Sequence, residues 1–344
     1  IWGVAIGVAA TYIVVFFIIG AFMERAGAAD FFVELVTAIA GHTRGGPGKV
    51  GIFSSALVGS VTGSSVANVY TTGQFTIPMM KRLGYAPKTA GAIEALASNG
   101  GQLMPPVMGA GAFVLASYTQ ISYLTIIAAS ALPAILYFLT VSYFVRIEAK
   151  RLKLTPTRNA DSENVSDVLK EGWHFIIPMI VLVYFLVSGR TPTTSAAFAI
   201  LSVIAASYLS PRPMRAGDIF DAVVEGVKTM VSTALLLVAV GIIIYVVTTT
   251  GVGNAFSLMI LEWAQGSLLV TLILVALASL VLGMGLPVTA SYIVLATLSA
   301  PLIFDLISQS QLLEALQAGD LPLSLIHISE PTRPRLISYA VFCL

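Results

Sequence analysis

KVGIFSSALVGSVTGSSVANVYTTGQFTIPMMK, residues Lys49 to Lys81, is a run of apolar and small residues with a basic residue at each end. One crossing helix needs about 20 residues and puts its ends on opposite sides of a bilayer, whereas basic flanks mark the cytoplasmic side. A re-entrant helical hairpin that enters and leaves from the cytoplasm reconciles the length with the charges. Its middle, VTGSSVANVYTTG (Val61 to Gly73), is dense in Gly, Ser and Thr and predicts a broken helix. Irregular backbone at membrane depth is tolerated only where it is buried in protein or lines a cavity. A second break is expected at Ser98-Asn99-Gly100-Gly101 and Pro105-Pro106, because tandem proline removes amide donors and clashes with the preceding turn.

The composition agrees with lipid as the solvent. The chain is 57% hydrophobic and 10% charged with a mean hydropathy of +0.92, against about 25% charged residues in soluble domains. Apolar runs at Trp2–Ala21, Phe175–Ser188, Thr233–Val247 and Leu268–Leu282 approach or reach spanning length. A net charge of +1, from 18 basic and 17 acidic residues, offers no footprint for nucleic acid. The chain starts at Ile1 without Met and reads as part of a longer protein. Leu323 to Arg333, LSLIHISEPTR, and Ile337 to Leu344, ISYAVFCL, resemble translated sequencing adapter, so residues 323–344 are set aside from the fold. The only cysteine, Cys343, lies there, which excludes disulfides and thiol chemistry from the remainder.

The most polar stretch, Arg146 to Gly172, carries six basic side chains and is expected in the cytoplasm. Two spans, Phe175–Ser188 and Ser195–Tyr208, turn at Gly189-Arg190-Thr191-Pro192 and return to Arg212 and Arg215 on the same side. Gly27-Ala28-Ala29-Asp30-Phe31-Phe32 lines up with Gly251-Val252-Gly253-Asn254-Ala255-Phe256, with Asp30 and Asn254 as expected N-caps. With one residue of slip, Ala67, Asn68, Thr76 and Pro78 line up with Ala290, Ser291, Ser299 and Pro301. The expected organisation is therefore all-α and polytopic, with inverted repeats. Residues 1–149 form a first repeat with a cytoplasmic-side hairpin about 50–80. A cytoplasmic loop at 150–172 and a connecting helix pair at 173–210 follow. Residues 211–322 form a second, truncated repeat with a periplasmic-side hairpin.

Broken helices offer amide dipoles to anions, and carbonyl and hydroxyl oxygens to small cations. Thr62, Gly63, Ser64, Ser65 and Asn68 in the first hairpin, with Ser98, Asn99 and Gly100 from the next break, fit that need. Gly283, Gly285, Pro287, Thr289 and Ser291 are the counterparts in the second hairpin. The competing reading is that small residues only allow close helix packing in lipid; two such clusters at repeat-equivalent places favour function. Glu94 has two open readings, a functional intramembrane acid or an acid at the interface.

GSVTGSSVANVYTTGQFTIPMMKRLGY (Gly59–Tyr85), ASNGGQLMPPVMGAGAFV (Ala97–Val114) and LGMGLPVTASYIVLATLSAP (Leu282–Pro301) resemble the large membrane subunit of tripartite ATP-independent periplasmic (TRAP) transporters. The GGQLMPP and GMGLP forms resemble its TAXI branch, whose permeases often fuse the small and large subunits. The resemblance covers nearly all of residues 1–322. It implies an elevator-type, sodium-coupled importer in the inner membrane. Its implied partners are a TAXI-type periplasmic binding protein for carboxylate-bearing solutes and a small membrane subunit, separate or fused upstream of Ile1. Sodium would be held by Ser64, Ser65, Asn68, Ser98, Asn99, Gly283, Gly285, Thr289 and Ser291. The solute would meet Thr62, Gly63, Gly100, Gln102, Pro105, Pro106 and Pro287. No other cofactor is implied. The family continues past the second hairpin with a further broken helix, and here the adapter-like string comes first.

The remaining signals point away from other chemistry. Gly48-Lys49 has the ending of a P-loop, but Thr43 stands at the first Gly and Val50 at the final Ser/Thr. His42 and His174 are isolated, and Trp2, Trp173 and Trp263 read as interface anchors. An enzyme needs a nucleophile with its base or paired intramembrane acids, whereas Asp30, Asp218, Asp221 and Asp305 fall near expected helix ends. A channel also uses broken helices, but two hairpins with polar tips favour a carrier. Single cysteines at positions 160 and 190, with Cys343 replaced, are expected to label from the cytoplasm and the periplasm respectively with a membrane-impermeant thiol reagent. Labelling of both from the periplasm would overturn this orientation.

Overall fold

The computed structural model describes residues 4–43, 45–119, 121–154, 164–210, 213–265 and 267–284, and scattered positions between 291 and 306. The described residues are helical with no strand. In chain order the helices are α1 (Val4–Val8), a π-helical turn (Ala9–Ile13), α2 (Val14–Arg25), α3 (Ala28–Ala40), α4 (Gly46–Thr62), α5 (Ser65–Arg82), α6 (Pro87–Gly101) and α7 (Ala110–Thr119). They continue as α8 (Tyr123–Arg151), α9 (Val165–Gly172), α10 (Ile176–Val187), α11 (Pro192–Ser207), α12 (Ala216–Thr250), α13 (Val252–Ala264) and α14 (Leu268–Gly283). Among the described residues, four helical stretches are long and apolar enough to cross a membrane: Ile6–Arg25, Tyr123–Arg151, Val165–Val187 and Ala216–Val247. The protein is an all-α polytopic membrane protein.

Two compact units share the chain. The larger takes Ala9–Ala110 and Leu124–Ser232; the smaller takes Ile1–Val8, Gly111–Tyr123 and Thr233–Leu344. In the larger unit α4, α5 and α6 pack on one another, α3 packs on α4, and α10 pairs with α11. One core joins Ile52 and Ala56 of α4, Met80 of α5, Ile93 and Ala97 of α6, and Phe138 and Val145 of α8. Along α8 the opposite stripe, Leu132, Leu136, Leu139 and Tyr143, is exposed. A helix apolar all round is either buried in protein or set in a membrane, and this stripe is not covered by the rest of the larger unit. In the smaller unit α13 and α14 share a core of Ile260, Val275, Leu302 and Leu306, and Phe113 stacks on Tyr123 at 4.6 Å.

Three local expectations are corrected. Asp30 and Asn254 are not N-caps: both helices start one turn earlier, from Gly27 at φ 94° and Gly251 at φ 69°. The left-handed glycine turns the chain without a side-chain cap, leaving Asp30 inside the first turn, where its charge suits the helix dipole. The break in the first hairpin is confined to Gly63-Ser64, and α5 runs unbroken from Ser65 to Arg82 through Pro78. Its hydroxyls are compatible with the helix because each lies within hydrogen-bond reach of the carbonyl four residues earlier: Thr71 of Ala67, Thr72 of Asn68 and Thr76 of Thr72. Likewise Ser98 to Gly101 are the last turn of α6, and the break begins at Gln102.

Without a hydrophobic driving force between helices in lipid, close approach of small residues supplies the packing. A Cβ built on Gly59 of α4 would stand 2.5 Å from the Cα of Gly101 on α6, so the two backbones touch there. Gly59→Val is expected to force these helices apart and cost about 1–3 kcal/mol, as overpacking does. A lowered detergent unfolding midpoint would register the loss; an unchanged midpoint would show that the contact does not hold α4 to α6.

Candidate functional site

Glu94 lies in α6, wholly inside the protein at 0% exposure. Its carboxylate therefore meets protein alone, whatever its depth in a membrane. Three helices bring hydroxyls to its carboxylate. Ser55 of α4 donates to Oε1 at 2.9 Å, Thr72 of α5 to Oε1 at 2.5 Å and Thr76 of α5 to Oε2 at 2.5 Å. Ser98, one turn further along α6, donates to Oε1 at 3.3 Å. Thr72 and Thr76 are four apart on α5 and Glu94 and Ser98 four apart on α6, so each pair shares one helix face. Small neighbours make the room: Gly73 of α5 lies against the Glu94 stem and Gly51 of α4 lies against Oε2.

Asn68, also fully buried, sits beside this cluster. Its amide donates to the Ser55 carbonyl at 2.8 Å, and its side chain lies against Gly59 and Gly101 at the α4–α6 contact. The hairpin and α6 are thus tied by hydroxyls on one carboxylate and by one amide at the glycine contact.

The hairpin tip is built differently. Gly63 has φ 63° and packs its α-carbon against the carbonyl of Met108, which leaves no space for a side chain. Ser64 caps α5, accepting from the Ala67 amide at 3.3 Å. The connector after α6 folds onto the tip, with the Val107 amide donating to the Ser60 carbonyl at 3.1 Å. Pro105 and Pro106 lie in that connector, and Gln102 begins it, its carbonyl accepting from Gly109. Thr62 is 6% exposed, and its hydroxyl has no partner within the protein.

Thr62 and Ser64 line a cavity of about 690 Å³ bounded by α2, the tip and the first half of α12. Its walls are charged. Arg25 pairs with Asp221 at 2.5 Å and with Asp218 at 3.7 Å. Glu24 accepts from Thr71 at 2.7 Å, and Lys228 stands on the α12 wall.

The sequence candidates therefore divide into two places. Asn68 and Ser98 belong to the buried cluster, whereas Thr62, Gly63 and Ser64 form the tip, and Ser65 begins α5 half-buried. Gly100 packs against Tyr137 and Phe138, and Asn99 is exposed, apart from both groups. Of the later candidates, Gly283 ends α14 with its α-carbon side toward Ser291, while Gly285, Pro287 and Thr289 lie outside the described residues. Ser55, Thr72 and the site role of Thr76 were missed by sequence reasoning. Hydroxyls four apart in apolar helices, facing a lone acid, were the available signal.

A helical pair with a polar tip beside a charged cavity, in a chain with helices long and apolar enough to cross a membrane, suits a transport protein. Residues 3–309 match the family described as "Tripartite ATP-independent periplasmic transporter, DctM component", and the chain belongs to that family. It is similar to the C4-dicarboxylate TRAP transporter large permease protein DctM of Pseudomonas aeruginosa, 25% identical over 85% of this chain and 68% of that protein. It also resembles the 2,3-diketo-L-gulonate TRAP transporter large permease protein YiaN of Escherichia coli (23%, over 84% and 67%). The sialic acid TRAP transporter large permease protein SiaM of Vibrio cholerae is 26% identical over 67% of this chain and 54% of its own length. The chain spans about two thirds of the first two relatives.

Proposed function

We propose that the protein is the large permease component of a sodium-coupled TRAP importer that moves a carboxylate-bearing solute across the bacterial inner membrane. The observation that carries this reading is the hairpin tip opening on the charged cavity. An anionic solute reaching that cavity meets the N-terminal end of the 18-residue α5, whose free amides favour negative charge, the unpartnered Thr62 hydroxyl and the Lys228 ammonium. The connector residues Gln102, Pro105 and Pro106, and Pro287 of the second hairpin, complete the solute set in this reading.

Sodium binds at the tips, on oxygens of Ser64 and Ser65 in the first repeat and of Thr289 and Ser291 in the second. A small hard cation needs several oxygen ligands, and short hydroxyls beside broken helix supply them in lipid without added charge. A periplasmic binding protein of TAXI type delivers the solute, a reading supported by the GGQLMPP and GMGLP strings. A small membrane subunit completes the transporter. Transport proceeds by alternating access of the elevator kind, with the two repeats oppositely oriented.

In the full-length transporter reconstituted with its binding protein, Ser65→Ala is expected to raise the sodium concentration for half-maximal uptake by about tenfold, equivalent to about 1.4 kcal/mol. Binding-protein affinity for solute should be untouched. Uptake that is indifferent to sodium in the parent would overturn sodium coupling, and an unshifted half-saturation in the variant would remove Ser65 from the site.

A further inference from the structure

We infer that Glu94, with the hydroxyls of Ser55, Thr72, Thr76 and Ser98, forms a further cation site, separate from the hairpin tips, that takes up one monovalent cation during transport. In its role in coupling the inference rests on the reading as a cation-coupled permease; as a binding site it stands on its own geometry. The carboxylate is fully buried. The charged side chains nearest in sequence on its three helices are Lys49 of α4, Lys81 and Arg82 of α5, and Lys88 of α6. Lys49 hydrogen-bonds to Thr43, and no described cation comes within ion-pair distance of Glu94. Of the other titratable groups, Tyr137 on α8 donates to the Leu96 carbonyl, away from the acid. The polar groups bonded to the carboxylate from α4, α5 and α6 are hydroxyls, with Gly51 and Gly73 packed against it.

A buried acid without a counter-charge is costly in lipid and marks an ion pathway. Neutralising it with a monovalent cation removes that cost, and the hydroxyls are arranged to allow both the empty and the occupied state. With the carboxylate empty, the four hydroxyls donate to it. When a cation arrives, Thr72 and Thr76 have alternative acceptors in place, the carbonyls of Asn68 at 2.8 Å and of Thr72 at 3.1 Å. Turning their hydrogens to those carbonyls presents oxygen lone pairs to the incoming charge. No backbone bond of α5 has to break.

Two cations share this chemistry, a proton and sodium. A proton would sit on one carboxylate oxygen and donate to Thr72 or Thr76. Sodium would take the carboxylate with the hydroxyl oxygens, after the helices separate slightly. Because the cluster ties both hairpin helices to α6, occupancy alters the charge at the joint on which the hairpin is mounted.

The test uses the purified chain in lipid nanodiscs, with Tm measured in two series. Choline chloride is replaced by sodium chloride at fixed pH and ionic strength, and pH is lowered in choline chloride alone. The parent is expected to gain Tm in at least one series. Glu94→Gln, a permanently neutral isostere, is expected to lose that gain and to match the cation-saturated parent in choline. Loss confined to the sodium series assigns sodium, and loss confined to the pH series assigns the proton. Thr76→Val keeps the charge but removes one oxygen: in the sodium series the midpoint is expected to move to higher sodium concentration, whereas in the pH series the loss of a donor to the ionised carboxylate moves it to higher pH. If Glu94→Gln retains both parental responses, or if the folded parent responds to neither series, the inference is overturned. Sodium-independent uptake in the reconstituted transporter would strike the sodium reading of the tip and leave this result standing.

Discussion

The larger unit depends on one electrostatic constraint: a carboxylate placed where neither water nor a basic side chain reaches it. Even after relaxation, burying an ion costs several kcal/mol. The chain offsets this with hydrogen bonds from three helices to Glu94, each worth about 1.5–3 kcal/mol when the acceptor is charged. That requirement specifies the register of α4, α5 and α6, because only one sliding position of each helix brings Ser55, Thr72, Thr76 and Ser98 to the same two oxygens. Polar groups inside lipid are better at selecting one arrangement than at adding stability, since an unfolded segment in the membrane finds partners as well.

Packing then follows from that register. The Gly59–Gly101 contact and the Asn68 amide lie toward the tip end of the hairpin, and both depend on the helices already being aligned. The result is a joint that is dry and densely bonded at Glu94 and more open at the tip, where Thr62 and Ser64 border the charged cavity. A transporter needs this division. The tip must exchange water, ions and solute, while the base must carry the hairpin as one body. In the proposed function the cavity is the place where solute chemistry is read, whereas the Glu94 cluster is buried away from it by helix packing.

Much of this was legible in the sequence, and the parts that were not have physical causes. The length of the Lys49–Lys81 run and the small residues at its middle suffice to show a pair of helices joined at a break. Gly63-Ser64 announces the tip, since a left-handed glycine followed by a serine cap is a local signal. The surrounding Ser and Thr residues mislead, because hydroxyls expected to break the helix have the helix's own carbonyls and the Glu94 carboxylate as acceptors here. Asp30 misleads for a related reason: a cap made by backbone conformation at Gly27 leaves no side-chain mark. Glu94 is visible as an acid in an apolar run, but its partners on α4 and α5 lie 18 to 39 residues away in sequence. Spacing within one helix cannot reveal a pairing between helices.

The most direct test of the account is a double-mutant cycle between Thr76 and Glu94, read as unfolding free energy in detergent. If the hydroxyl is there to satisfy the carboxylate, Thr76→Val is costly in the parent and nearly neutral once Glu94→Leu has removed the acceptor. The coupling should fall in the range of about 0.5–3 kcal/mol found for residues in one bonded network. Additive effects of the two substitutions would contradict a fold organised around this buried acid.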